Sequence, residues 1–357
     1  MKALIAMSGG VDSSVAAVFM KEKGYEPIGV TMKLYDNEDI NISNEKTCCS
    51  LSDIEDARSI AFQEGFPYYV FNFKAQFREK VMDKFVNCYK CGMTPNPCID
   101  CNRYLKFDEL DRRAKELGCD VIVTGHYARI RFNEETGKYE LLKGIDDSKD
   151  QSYVLYYMTQ EELSRTMFPL GEYTKDEIRK IAEEHELINA NKHDSQDICF
   201  ITKPMTTKKY ITDKFGVKKG DFIFIKTGQK VGTHEGFYQY TIGQRKGIGI
   251  AWEEPLYVVK LDAQNNVVYV GTQDDLMQKS LTIHDIKMQY PNDCKEFEAL
   301  VKIRYNMEAK SAVVKLDYEN NTGVITFDEP VASITSGQAA VFYDKQDCHL
   351  IGGGWID

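Results

Sequence analysis

Apolar runs at 4–7, 28–32, 68–71 and 121–124 are each followed by a stretch in which apolar residues recur at helical spacing. Strands alternating with helices in this way predict an α/β domain built on a parallel, doubly wound sheet. Helices are expected over 53–63, 77–88, 104–117 and 174–185, the last opened by Thr174 and Glu177 at capping-box spacing. The polar, acidic segment 36–46 reads as a surface loop. Past residue 205 the chain breaks into short segments punctuated by Gly216, Gly220, Gly228, Gly232 and Gly236, and from Leu281 short alternating runs such as 299–303 and 312–316 take over. The expected organisation is an α/β domain over 1–205, a small, mostly β central domain over 206–278 and a C-terminal β-barrel over 279–357.

Between the first apolar run and the first helix lies Ala6-Met7-Ser8-Gly9-Gly10-Val11-Asp12-Ser13-Ser14. A strand, a glycine turn and a helix start in that order make an anion site, because glycines let backbone approach a ligand and the helix N-terminus presents unpaired N–H groups. Ser13 and Ser14 add hydroxyls, and Asp12 offers a carboxylate to magnesium or to the loop itself. ATP is therefore the expected ligand, bound through residues 6–13. The Gly-Lys-Ser/Thr ending of a Walker A loop is missing, which argues against simple γ-phosphate hydrolysis. The bland alternative, a glycine turn that merely opens a helix, explains the glycines but not Asp12 and the paired serines.

Composition narrows the setting. The 357 residues suffice for two or three domains, and the formal charge of −10 argues against indiscriminate nucleic-acid binding. Local basic clusters remain, such as Lys208-Lys209, Lys218-Lys219 and Arg245-Lys246. No apolar run reaches membrane-spanning length and no signal peptide is evident, so a cytoplasmic protein with no membrane partner is expected. Ten cysteines in such a chain point to thiol or metal chemistry.

Three further motifs carry a resemblance: Thr94-Pro95-Asn96-Pro97-Cys98-Ile99-Asp100-Cys101-Asn102, Asp194-Ser195-Gln196-Asp197-Ile198-Cys199-Phe200, and Tyr240-Thr241-Ile242-Gly243-Gln244-Arg245-Lys246-Gly247. The first loop resembles the pyrophosphate loop of ATP-pyrophosphatase enzymes. All four motifs together, with 336–342 and 352–355 near the end, resemble the tRNA-specific 2-thiouridylase family of the MnmA type along essentially the whole chain.

The resemblance implies exchange of the C2 oxygen of the wobble uridine, position 34 of tRNA, for sulfur. ATP with Mg2+ would adenylate that oxygen, releasing pyrophosphate and making AMP the leaving group. Cys199 would carry a persulfide delivered by a sulfur donor, a cysteine desulfurase or a sulfur-relay protein. Cys101 would be the partner nucleophile that resolves it through a disulfide. The backbone at Met32 and Gly125 would approach the nucleotide. Asn96, Pro97 and Cys98 would receive the flipped uridine, while His126, Lys149, Asp150, Gln151, Arg304, Tyr305 and Gln338 would contact tRNA.

Cys98 stands where the family more commonly has an aspartate. With Cys101 and Cys199 it supplies three thiolates, enough by count for a [4Fe-4S] cluster with one open iron. That route is the alternative to the persulfide. Cys88, Cys91, Cys98 and Cys101 also permit zinc by count, a reading ranked lower because a zinc-held Cys101 makes a poor mobile nucleophile. Another ATP-pyrophosphatase, such as a lysidine synthetase or an amide-forming ligase, would use the same loop without sulfur. Cys48, Cys49, Cys119, Cys294 and Cys348 read as packing residues.

Overall fold

The computed structural model describes residues 1–36, 51–193, 198–201, 204–289 and 294–357. Most of the expected loop at 36–46, together with Cys48, Cys49 and residues 194–197, lies outside them. The chain separates into two compact units: Met1–Met82 with Pro97–Thr202 and Cys348–Leu350, and Asp83–Asn96 with Lys203–Asp347 and Ile351–Asp357.

The first unit holds a parallel sheet of β1 (Lys2–Ala6), β2 (Glu26–Lys33), β3 (Tyr68–Asn72), β4 (Val121–Val123) and β7 (Thr166–Met167), in the order β3-β2-β1-β4-β7. Strand β1 pairs with β2 on one side and β4 on the other. The order therefore reverses between β1 and β4, and in open parallel sheets that switch point opens a crevice beyond the carboxyl ends of the strands. The loops after β1 and β4 lead out of this crevice, which is why the phosphate loop and Gly125 belong to one site.

Helix α1 (Val11–Glu22) is buried from Val15 to Met20, with Phe19 the least covered of that run at 8% exposure. Such a helix needs cover on more than one face. It packs in one core with Ile5, Ile60, Val123, Ile178 and Ala182, drawn from β1, α2 (Leu51–Glu64), β4 and the helix Lys175–Glu184. The capping box forms as expected: Thr174 accepts from the Glu177 amide, and Glu177 accepts from the Thr174 amide at 2.7 Å.

Three features were not anticipated. An antiparallel hairpin joins β5 (Ala128–Asn133) to β6 (Lys138–Lys143), and a single bridge ties Leu142 to His349. The expected helix over 77–88 is split into Lys74–Phe77, a π-helical Arg78–Asp83 and Lys84–Lys90. Likewise 104–117 begins as a π-helical segment, Asn102–Glu109, before the α-helix Leu110–Glu116. Wide π turns recur at functional sites, and this one directly follows Cys101.

The second unit contains a helix, Thr207–Phe215, and a four-stranded sheet of β8 (Gly220–Phe224), β9 (Lys230–His234), β10 (Tyr257–Asp262) and β11 (Val267–Gly271) in the order β10-β11-β8-β9. A closed barrel follows, made of β12 (Met277–Met288), β13 (Glu296–Lys302), β14 (Lys310–Asp317), β15 (Thr322–Ala332), β16 (Ala339–Tyr343) and β17 (Leu350–Ile356) in the order β12-β15-β14-β13-β16-β17. Its interior takes alternate residues, including Leu281, Ile283, Val314, Leu316, Ile325 and Phe327. The parallel sheet, the small β region and the barrel agree with the architecture read from the sequence.

Candidate active site

The phosphate loop is braced from beneath. Gly9 sits at φ +74°, and a Cβ there would lie 2.3 Å from the Asp53 carbonyl oxygen, so only glycine fits. Gly10 is the N-cap of α1 in extended conformation, and no side chain caps it. Ser13 Oγ accepts from the Ser8 amide at 3.1 Å and donates to the Gly10 carbonyl at 3.1 Å. Ser14 Oγ is fully buried, donates to the same carbonyl and accepts from Asn189 Nδ2 at 3.0 Å. Its hydroxyl shapes the loop from inside, and the ligand-facing side is left to the backbone and to Ser8 and Ser13.

Two lysines far along the chain complete the brace. Lys192 Nζ donates to the Gly9 carbonyl at 3.0 Å and pairs with Asp53 at 2.5 Å and Asp56 at 2.6 Å. Lys175, only 6% exposed, reaches Asp12 Oδ1 at 2.7 Å, and the Tyr127 hydroxyl donates to that same oxygen at 2.8 Å. Nothing in the sequence marked Lys175, Tyr127, Asn189 or Lys192. The capping box located the helix of Lys175, and the motif around Cys199 lies just beyond Lys192, but neither signal indicates a side chain reaching back to the loop.

Met7 is buried, its amide donating to the Val30 carbonyl and its carbonyl accepting from Thr31 Oγ1 at 2.6 Å. Met32, opposite Phe71 in the sheet, is half-buried near the carboxyl end of β2. At Gly125 an added Cβ would lie 2.9 Å from the Ser13 amide nitrogen, so this glycine lets the end of β4 close upon the first turn of α1.

The thiols come from two segments of the first unit. Pro97–Cys101 is a short helix that buries Pro97, Ile99 and Asp100 and leaves Cys98 exposed and Cys101 half-buried. Cys199 is half-buried; its carbonyl accepts from the Tyr35 hydroxyl at 2.6 Å, and neighbouring Phe200 packs edge-on against Phe77. Burial pushes the Cys101 thiol up to about 11 against the partial relief of the Lys106 ammonium. It needs a further charge or a proton acceptor to react as a thiolate.

All eight described cysteines are free thiols, so the disulfide expected of Cys101 and Cys199 is not formed in this structure. Among the described residues no three His, Cys, Asp or Glu side chains converge as a metal site. Cys98, Cys101 and Cys199 are thus not arranged to hold a cluster.

The residues expected at tRNA divide between the units. His126 is 6% exposed, set between Phe107 and Phe168, with Nδ1 2.6 Å from Thr124 Oγ1 and Nε2 3.2 Å from Lys106 Nζ. Burial and that ammonium hold its pKa well below the ordinary value. Its ring is committed to the interior. Asp150 is buried and accepts from the Gly144 and Ser152 amides, both at 3.1 Å, while Gln151 Oε1 accepts from the Tyr127 amide at 3.0 Å. Both are turn-builders, and Lys149 is the member of that trio lining a cavity.

In the second unit Arg304 Nη2 donates to the carbonyls of Ile242 and Ser333 at 2.9 and 3.1 Å, and Gln338 Nε2 donates to the Thr94 carbonyl at 2.6 Å. These side chains tie loops together. With Tyr305 they border a cavity of about 390 Å3. Asn96, the last residue of its segment in this unit, is half-buried.

A phosphate loop at the switch point of a five-stranded parallel sheet, with free thiols in the same compact unit, defines a nucleotide-binding α/β protein equipped for sulfur chemistry. Residues 1–203 match the family described as tRNA methyl transferase HUP domain, 208–272 the tRNA methyl transferase PRC-barrel domain, and 278–356 the aminomethyltransferase beta-barrel domain. Proteins named tRNA-specific 2-thiouridylase MnmA match the full chain: that of Carboxydothermus hydrogenoformans is 44% identical over 360 residues, covering 100% of this chain and 97% of its own. Those of Clostridioides difficile and Pelotomaculum thermopropionicum are 44% and 45% identical over 359 residues, covering 98% and 97% of their own lengths. The chain belongs to the MnmA family of tRNA-specific 2-thiouridylases.

Proposed function

We propose that this protein replaces the C2 oxygen of the wobble uridine of tRNA with sulfur, using ATP. The observation that carries the proposal is the phosphate loop at the β1–β4 switch point, in one compact unit with the free thiols of Cys101 and Cys199. Full-length similarity to proteins named for this activity supports it. The uridine oxygen attacks the α-phosphorus of ATP, the bond to the β-phosphate breaks, and pyrophosphate departs with its electron pair. ATP bound as its magnesium complex fits a loop of backbone donors beside the Asp12 carboxylate.

The sulfur arrives as a persulfide on Cys199. Its terminal sulfur attacks C2, and AMP leaves with the former carbonyl oxygen. The Cys101 thiolate then attacks Cys199 Sγ, releasing the 2-thiocarbonyl and forming a Cys101–Cys199 disulfide. A dithiol reductant returns both thiols. Pro97 and Cys98 would receive the uridine. Lys149 and Tyr305 are the contacts proposed for the rest of the RNA, with Asp150, Gln151, His126, Arg304 and Gln338 holding those surfaces in shape. The C-terminal barrel and the central domain, 206–278, supply the RNA-facing surfaces of the second unit. The working compartment is the cytoplasm, where a cysteine desulfurase or relay protein can load Cys199.

Purified full-length protein given ATP, unmodified tRNA, persulfide donor and reductant should form AMP, pyrophosphate and 2-thiouridine in equal amounts. AMP formation with no thiolated nucleoside would refute sulfur transfer, and absence of AMP would refute adenylation.

A further inference from the structure

The chain at Cys199 is held at three points within the first unit. The Ile201 amide donates to the Ile198 carbonyl at 2.8 Å, closing a turn that contains Cys199. Phe200, 1% exposed, packs edge-on against the buried Phe77 with ring centroids 5.7 Å apart. The Tyr35 hydroxyl donates to the Cys199 carbonyl at 2.6 Å, and the Tyr35 ring, 2% exposed, lies 5.9 Å from the same Phe77. Tyr35 is in turn fixed to the sheet just beyond Met32 and Lys33, where β2 ends. Next to it, Asp36 pairs with Lys33 at 2.7 Å and with Lys74, and the Phe73 amide donates to the Lys33 carbonyl at 2.9 Å. Lys74 opens the short helix that carries Phe77. Strand end, helix and Cys199 turn therefore close a circuit, and Tyr35 is the link that reaches the cysteine backbone.

We propose that Tyr35 is a positioning residue for sulfur transfer: its hydroxyl fixes the Cys199 backbone against the carboxyl end of β2, so that the persulfide meets C2 of the adenylated uridine. This role rests on the thiolation reading above. A thiol carried on a turn is placed only as well as the turn is held, and a misplacement of about 1 Å costs on the order of 100-fold in rate. Adenylation uses the phosphate loop and does not involve Cys199. When sulfur is slow to attack, water attacks C2 instead. Its oxygen becomes the new carbonyl oxygen, AMP departs with the old one, and the two water protons pass to N3 and to solvent. A misplaced Cys199 therefore shows as AMP made without thiouridine.

Tyr35→Phe removes the hydroxyl and keeps the ring against Phe77, and two measurements on the full-length protein test it. Mass spectrometry of iodoacetamide-treated protein should show Cys199 alkylated about fivefold faster than in wild type, the weight of one lost hydrogen bond, with the Cys101 rate unchanged. With ATP, unmodified tRNA, persulfide donor and reductant, 2-thiouridine formation should slow about tenfold at saturating substrates while AMP formation holds. AMP then exceeds thiouridine, whereas the wild type makes the two in equal amounts. A general loss of folding would speed alkylation of both cysteines and lower both products together, and that result would overturn the proposal. Unchanged Cys199 alkylation, or equal products from the variant, would overturn it too. Faster Cys199 alkylation in the variant of a protein whose wild type makes no 2-thiouridine would sustain the tether and sink the thiolation reading.

Discussion

Lys106 Nζ lies 3.2 Å from Nε2 of the buried His126, an ammonium donating to an imidazole that must therefore be neutral. Because Nε2 accepts, the ring proton sits on Nδ1, 2.6 Å from Thr124 Oγ1 at the end of β4. Protonating the ring would bring two cations together away from water. The Lys106 charge also favours the thiolate of Cys101, so the neutral histidine holds a cation that bears on the sulfur chemistry.

A pH dependence follows with a definite sign. A base whose folded pKa is depressed contributes its full stability above the unfolded value and loses it as pH falls through and below that value, here about 6.5. The wild type should therefore lose about 1.4 kcal/mol per pH unit below that point relative to His126→Gln. Urea unfolding of both proteins between pH 7 and pH 5 checks this; parallel pH profiles would remove the buried neutral imidazole from the account.

Gly9→Ala should disable the phosphate loop. The new Cβ meets the Asp53 carbonyl and the residue is held at φ +74°, so the loop must shift at a cost of about 1–3 kcal/mol. Nucleotide-analogue binding should fall by tenfold or more, whereas Gly24→Ala, at φ +79° but with open space around it, should leave binding intact. Equal effects on binding would mean that backbone strain in general, and not the Gly9–Asp53 contact, governs the loop.

Arg304 and Tyr305 are neighbours with different tasks. Arg304 bridges the Ile242 and Ser333 carbonyls, so Arg304→Ala should lower stability by about 2–3 kcal/mol through lost charged hydrogen bonds. Tyr305 borders the cavity beside it, and Tyr305→Ala should weaken tRNA binding by roughly tenfold with little change in stability. Thermal unfolding and tRNA titration of the two variants separate the roles; a destabilised Tyr305→Ala with normal tRNA affinity would contradict the assignment.

The four strands read from apolar runs are present within a residue or two, because each is a short β-rich segment bounded by turns. Strand β7 escaped notice because two residues, Thr166 and Met167, carry no periodicity. The π-helical stretch Asn102–Glu109 has the apolar spacing of an ordinary helix, so its extra width leaves no mark in sequence. The loop glycines and the thiols were legible as motifs. The bonds of Asp12 to Tyr127 and Lys175 span 115 and 163 residues and exist only through the tertiary fold. For the same reason the interior bonds of His126 and Asp150, and that of Gln151 to the Tyr127 amide, leave no mark in the sequence.

The central claim is that sulfur reaches tRNA through Cys199. Its most direct test is mass-spectrometric measurement of 2-thiouridine made by Cys199→Ala from unmodified tRNA, ATP and a persulfide donor. The account predicts no thiolated nucleoside, with ATP-analogue and tRNA binding unchanged from wild type. A variant that still produces 2-thiouridine at the wild-type rate would contradict it.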